Sequence, residues 1–162
     1  MIRNLTLPQD RAAVFAVLQA SADYVWLERE EPPAPHLVDE YFTDAPPGLN
    51  AADAHHAGLF DTNRLVALAE MSFGYPAPDV AYLGLMMVHP DVRGTGAGPR
   101  LLRHLESVAL GRGMRQMALG VLAANPRGRA FWEREGFTAT GLSGSATLGK
   151  KTQPVQRFVK AL

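Results

Sequence analysis

Gly94, Gly96 and Gly98 stand at every second position directly after Arg93, in the run Val88-His89-Pro90-Asp91-Val92-Arg93-Gly94-Thr95-Gly96-Ala97-Gly98-Pro99-Arg100-Leu101-Leu102. An apolar stretch from Tyr82 to Val88 stops at the proline, and Leu101, Leu102, Leu105, Val108 and Ala109 then recur at helical spacing. A strand, a glycine turn and a helix N-terminus make a phosphate cradle. Glycine lets the backbone approach an anion closely, and the unpaired N–H groups of the first helical turn point at it with the helix dipole behind them. Arg93 adds a fixed positive charge at the mouth. The expected occupant carries a diphosphate.

The spacing narrows the choice. A dinucleotide fingerprint needs Gly-x-Gly-x-x-Gly, and a P-loop needs Gly-Lys-Ser/Thr at its end; neither is present. What fits is Arg-x-x-Gly-x-Gly. About 30 residues later comes Asn125-Pro126-Arg127-Gly128-Arg129-Ala130-Phe131-Trp132-Glu133-Arg134-Glu135-Gly136-Phe137. Here Asn125 suits an N-cap, Pro126 the first helical position and Gly136 a left-handed helix stop. In this order the two stretches resemble the acetyl-CoA signature and the later Asn-led motif of the GCN5-related N-acetyltransferase family. The likeness is good over residues 54 to 142 and poor over the first 50.

That resemblance implies an acetyl-CoA co-substrate, no metal and a primary amine acceptor attacked directly. It places Met86, Met87, Val88, Arg93, Gly94, Thr95, Gly96, Ala97, Gly98, Asn125, Arg129, Phe131 and Trp132 along the cofactor. A backbone N–H near Met87 or Val88 would stabilise the oxyanion. Two parallel strands would splay to admit the pantetheine arm, which nothing in the periodicity reveals.

The elements that must position these groups follow from patterning. Residues 1 to 5 suit a short strand. Thr6-Leu7-Pro8-Gln9 reads as a capping box, and Ala13, Val14, Val17 and Leu18 carry a helix from about Pro8 to Tyr24. Five of the 12 prolines fall between residues 31 and 47, around a short helix His36 to Phe42. This region reads as a stiff surface connection or as a wall over an acceptor pocket, with Tyr24, Trp26, Tyr41 and Phe42 as lining residues. Strands are expected at Ala54–Phe60, Leu65–Phe73 and Val80–Val88, with turns at Asp61-Thr62-Asn63 and Tyr75–Asp79. A helix Pro99–Leu110 then crosses over to a strand Gln116–Val121, making Val80–Val88 and Gln116–Val121 parallel neighbours. Thr138–Leu142 and Val155–Ala161 finish the sheet, with a loop Gly141–Pro154 between them. The fold class is α/β of the α+β type: one domain over residues 1–162, with a mixed, mostly antiparallel sheet of about six to seven strands and helices on both faces.

Acyl transfer from a thioester to an amine needs a base for the amine proton, a stabilised oxyanion and a leaving thiolate. Glu70 is the candidate base. It is the single carboxylate in the strand Leu65–Phe73, on the same face as Leu68 and Ser72, where apolar surroundings raise a carboxylate pKa. The alternative is an ordinary paired strand glutamate. Many relatives carry tyrosine as general acid at the position of Trp132, and an indole N–H is a donor far too weak for that task. Tyr82 is the candidate substitute. Gly128, where alanine is common, is a minor departure. Pro99 removes one N–H from the first helical turn. His55 and His56 are adjacent on a strand and therefore face opposite ways.

Composition sets the outer limits. The chain has 162 residues, 47% hydrophobic, with 16 basic against 16 acidic side chains and no cysteine. One core of good size is expected. Neutral charge favours neither nucleic acid nor a membrane surface, and no apolar run reaches spanning length. No signal-peptide core opens the chain, and with no cysteine a cytoplasmic home is expected. The last strand and the proline-rich region are the surfaces a homodimer would use. The leading reading is an N-acetyltransferase acting on a small amine. A CoA-binding sensor module without catalysis, or an unrelated nucleotide-phosphate binder, are the alternatives.

Overall fold

The computed structural model describes all residues, Met1–Leu162. Seven strands form one sheet: β1 Ile2–Asn4, β2 His55–Asp61, β3 Arg64–Phe73, β4 Val80–Val88, β5 Gln116–Leu122, β6 Thr138–Leu148 and β7 Lys151–Ala161, in the order β1-β2-β3-β4-β5-β7-β6. Every neighbouring pair is antiparallel except β4–β5. The helices are α1 Arg11–Ala20, α2 Ala22–Arg29, α3 His36–Thr43, α4 Ala97–Gly111 and α5 Pro126–Arg134.

Strand alternation sorts the two faces. Ala67, Ala69 and Met71 of β3 join Ala57 and Leu59 of β2 in packing against Leu101, Leu102, Leu105 and Ala109 of α4. On the other face, Leu68 and Met87 pack with Val14 and Val17 of α1, Val25 of α2 and Val38 and Tyr41 of α3. His55 and His56 follow the same rule. His55 meets His104 of α4 at 3.4 Å, and His56 lies 3.0 Å from the Tyr41 carbonyl on the opposite face. No helix is long and apolar enough to cross a membrane.

Two features set β4 apart from the other strands. Its pairing with β5 covers only Val80↔Gln116, Ala81↔Met117 and Tyr82↔Ala118, after which the strands diverge and leave the edge of β4 open from Leu83 to Val88. Its pairing with β3 shifts register between Glu70 and Met71, so that Glu70 faces Leu85, Met71 faces Leu83 and Gly84 is the extra residue of a bulge.

Three sequence expectations give way. The helix Pro8–Tyr24 is two helices, because the chain turns at fully buried Ser21, whose N–H donates to Val17 and whose carbonyl accepts from Tyr24 and Val25. Apolar periodicity continues through that turn, and neither glycine nor proline marks it. The capping box does not cap α1. Thr6 bonds Gln9 by side chain, while Asp10 precedes the helix and accepts from Arg3 and the Thr6 N–H. The loop Gly141–Pro154 is a hairpin. β6 and β7 stay paired out to Leu148↔Lys151, and the tip docks on α2 through Lys150 N–H donating to the Arg29 carbonyl. Its mostly exposed β6 residues lack the apolar alternation that marks a buried strand. The last strand is also interior to the sheet, between β5 and β6, so β6 is the edge.

Candidate active site

The divergence of β4 and β5 opens a groove of about 770 Å³. Leu83–Val88 and Leu119–Leu122 form its walls, Arg93 to Pro99 its upper end, and α5 and α2 its sides. The glycine turn has the expected form. Gly94 (φ 77°) and Gly96 (φ 91°) take the left-handed conformation, and Gly96 caps α4. The free N–H groups of Ala97 and Gly98 open α4, and Pro99 contributes none. A Cβ on Gly98 would stand 3.3 Å from the Phe131 ring of α5, so any larger residue there makes the ring give way.

The N–H groups of β4 that face the groove follow from the ladder. His89 N–H donates to the Val66 carbonyl of β3, so backbone alternation turns Val88 and Met86 the other way, toward the open edge. The Val88 carbonyl accepts from Arg93 Nε at 3.1 Å, in keeping with that direction.

Arg93 is already engaged at its other end. Its Nη1 and Nη2 donate to Asp23 of α2 at 2.7 and 3.2 Å, holding that carboxyl below the usual range. Asp23 thus lies where an incoming diphosphate would compete for the same guanidinium. Replacing it by asparagine is expected to tighten acyl-CoA binding by about threefold to tenfold, with less gain at high salt. Titration calorimetry at two salt concentrations measures this; unchanged or weaker binding would show that Asp23 does not compete.

Most of the expected cofactor residues line the groove: Met86, Met87, Val88, Arg93, Gly94, Gly96, Gly98, Asn125, Phe131 and Trp132. Arg129 does not. It lies on the outer side of α5, donating to Glu133 at 2.8 Å and Gln156 at 3.1 Å, while Arg127, Phe131 and Arg134 share the inner side. Helical spacing identifies Arg127 and Arg134 as the basic residues to expect once Phe131 is placed inward. Thr95 and Ala97 are also outside the lining, with Thr95 Oγ1 donating to the Val92 carbonyl at 2.6 Å. Asn125 caps α5 by accepting from Gly128 N–H at 2.9 Å. A Cβ on Gly128 would overlap that Asn125 amide, so the absence of alanine there has a packing reason. Trp132 stacks edge-on between Phe131 and Phe137, with centroids 4.9 and 5.3 Å away.

Glu70 occupies a second, smaller cavity of about 170 Å³ on the α1–α3 face. The two spaces share Gly84, Leu85 and Met87, so the bulge of β4 is the partition between them. Glu70 is 6% exposed, and burial pushes its carboxyl up to about 7, against a lowering hydrogen bond from Ser72 at 2.7 Å. A Cβ on Gly84 would overlap Glu70 Oε2, so the glycine is what lets the carboxylate lie against the partition.

The remaining predicted residues divide. Tyr24 lines the groove and is its only hydroxyl-bearing side chain; burial, with Glu28 beside it, raises its pKa. Tyr41 lines the small cavity, with its hydroxyl donating to the Ala69 carbonyl at 2.7 Å. Trp26 is 56% exposed and lines neither space. Phe42 packs beside Tyr41 and His56, outside both. Tyr82 precedes the divergence. Its ring lies against Tyr75 and the Arg157 guanidinium, outside the groove lining, with its hydroxyl 3.4 Å from where a Cβ on the groove residue Gly120 would stand. No cluster of three or more metal-ligating side chains occurs.

Comparison with known proteins adds an independent line. The sequence profile of the acetyltransferase (GNAT) family matches residues 20–137. No curated protein matches the sequence. Among solved structures, an acetyltransferase from Thermus thermophilus shares 24% identity with a TM-score of 0.78, over 100% of this chain and 96% of its own. The ribosomal-protein-S18-alanine N-acetyltransferase of Escherichia coli shares 19% with a TM-score of 0.72, covering 99% and 92%. The PaiA N-acetyltransferase of Thermoplasma acidophilum, in complex with coenzyme A, shares 18% with a TM-score of 0.74, covering 100% and 98%. At these identities the solved structures establish the fold.

Proposed function

The chain belongs to the GNAT family of acetyltransferases, and from that premise we propose that it transfers the acetyl group of acetyl-CoA to a primary amine held beside Glu70. The observation that carries this is the shared partition. The groove that fits acyl-CoA and the cavity that holds the candidate base meet at Gly84, Leu85 and Met87.

The residues fit the co-substrate. A diphosphate suits the Gly94–Gly98 turn, with Arg93, Arg127 and Arg134 as the neighbouring cations. The pantetheine arm, an extended amide chain, suits the open edge of β4. Bound acetyl-CoA supplies an activated thioester carbonyl. Glu70 accepts a proton from the substrate ammonium, which frees the lone pair of the neutral amine for attack, and a carboxyl poised near 7 suits that role. The amine nitrogen bonds to the acetyl carbon, the C–S bond breaks, and the sulfur takes up a proton. The Val88 N–H, facing the groove, is the donor placed for negative charge on the carbonyl oxygen. Trp132 cannot supply the sulfur's proton; Tyr24, the groove's one hydroxyl, is the side-chain candidate for that role, with solvent as the other source. Tyr24→Phe is expected to lower kcat by about tenfold or more while leaving acetyl-CoA affinity unchanged. An unchanged kcat would assign the proton to solvent.

The test is thiol release from acetyl-CoA across a panel of amines. Release that requires an amine and yields its acetyl derivative supports transfer. Trp132, at a position where a proton donor is common, favours a second reading, a CoA-binding module without catalysis. Firm acetyl-CoA binding with no amine-dependent release would establish that one instead.

A further inference from the structure

The cavity beneath α2 and α3 is acidic beyond what the base requires. Besides Glu70, the carboxyls of Glu28, Glu40 and Asp44 line it, and Arg29 is its single cation. Arg29 Nη2 donates to Glu40 at 2.6 Å, and its Nε lies 3.8 Å from Glu28. Glu40 also lies 3.9 Å from His36 Nε2, and neither Asp44 nor Glu70 has a basic side chain within 4 Å. The rest of the lining is Leu18, Val25, Leu37, Tyr41, Gly84, Leu85, Met87 and Leu148, with no lysine or histidine among it.

A second observation points to a ligand. Glu70 is 6% exposed; Ser72 donates to its Oε1, and no protein group donates to Oε2, which lies over Gly84 at the partition. An acceptor atom at the cavity surface without a protein donor is free to accept a hydrogen bond from a ligand. Burial raises the carboxyls of Glu28 and Asp44, and the Arg29 guanidinium lowers both without reversing that direction. The volume of about 170 Å³ is close to the roughly 150 Å³ void that holds benzene, a molecule of six heavy atoms.

Resting on the transfer reading above, we infer that the acceptor is a short diamine: one amino group lies at Glu70 Oε2 for acetylation, and the other is held as an ammonium among Asp44, Glu40 and Glu28. Its alkyl chain runs along Leu37, Leu85 and Met87. A carboxylate at the far end, as in an amino acid, meets like charge there and is rejected. Acetylation removes the charge at one end only, so the product keeps the ammonium that the far carboxyls hold.

Binding separates this inference from the reading it rests on. Calorimetric titration of the CoA-loaded protein compares 1,4-diaminobutane, n-butylamine and 4-aminobutanoate, which share a four-carbon chain and differ at one end. The diamine is expected to bind at least tenfold more tightly than butylamine, and 4-aminobutanoate more weakly than either. Asp44→Asn and Glu40→Gln are each expected to shrink the ratio of diamine to butylamine affinity several-fold. Equal affinity for diamine and butylamine, no diamine binding, or a ratio unmoved by both substitutions would overturn the inference. Selective diamine binding without thiol release would leave the diamine site standing and overturn the transfer reading.

Discussion

Glu70→Gln lowers kcat/KM for amine acetylation by about a hundredfold to ten-thousandfold, the range for loss of a positioned base, while acetyl-CoA affinity stays as it was. Glutamine keeps the shape of the side chain and its bond with Ser72 but takes up no proton. The pH profile sharpens the test. The base works as carboxylate, and its pKa is about 7, so wild-type kcat/KM rises with pH through that value and then levels. The variant's residual rate lacks that step. Stability moves the opposite way. The folded pKa stands above the ordinary 4.5, so the folded protein holds the proton more tightly. Stability from this group is complete below about 4.5 and is lost as pH rises toward 7. Glu70→Gln therefore raises Tm at about pH 8 while it removes activity. A variant that keeps the wild-type rate and pH step would exclude Glu70 as base.

Gly96→Trp abolishes acyl-CoA binding, weakening it by at least about a hundredfold, or roughly 2.7 kcal/mol. The space beside Gly96 is open, with no atom beyond its chain neighbours within 4 Å of a Cβ there, so a side chain begins in free space at the anion cradle. The residue must hold φ 91°, which strains any side chain by about 1–2 kcal/mol, well inside the 5–15 kcal/mol of an ordinary domain. Arg93→Glu tests the same cradle by charge with the glycine turn intact. Calorimetry reads the binding, and thermal unfolding confirms that each variant is folded. Wild-type affinity in both would remove the glycine turn from the binding site.

Much of the binding machinery is legible in the residues because it is local. The glycine turn, the start of α4 and the Asn125 cap each need particular residue types within one short stretch. Glu70 is legible because strand alternation makes a lone carboxylate conspicuous on an apolar face. What escapes the sequence is long-range. The divergence after Tyr82 has no periodic signature, since Leu83–Val88 keeps the same pattern whether or not β5 pairs with it. The turn at Ser21 sits inside an unbroken helical pattern, yet it sends Asp23 and Tyr24 to the groove and Glu28 and Arg29 to the small cavity. Arg129 and Arg127 are indistinguishable by type, and only the inward face of α5 separates them. A chain balanced at 16 acidic and 16 basic side chains hides four carboxyls that converge from α2, α3, β3 and the residue after α3.

On the proposed reading, acetyl-CoA and amine are bound together across the shared partition, and the acetyl group passes directly between them. Initial-rate kinetics with both substrates varied tests this most directly. The expected result is intersecting double-reciprocal lines, the mark of a ternary complex. Parallel lines, the mark of an acetylated enzyme formed before the amine binds, would contradict it.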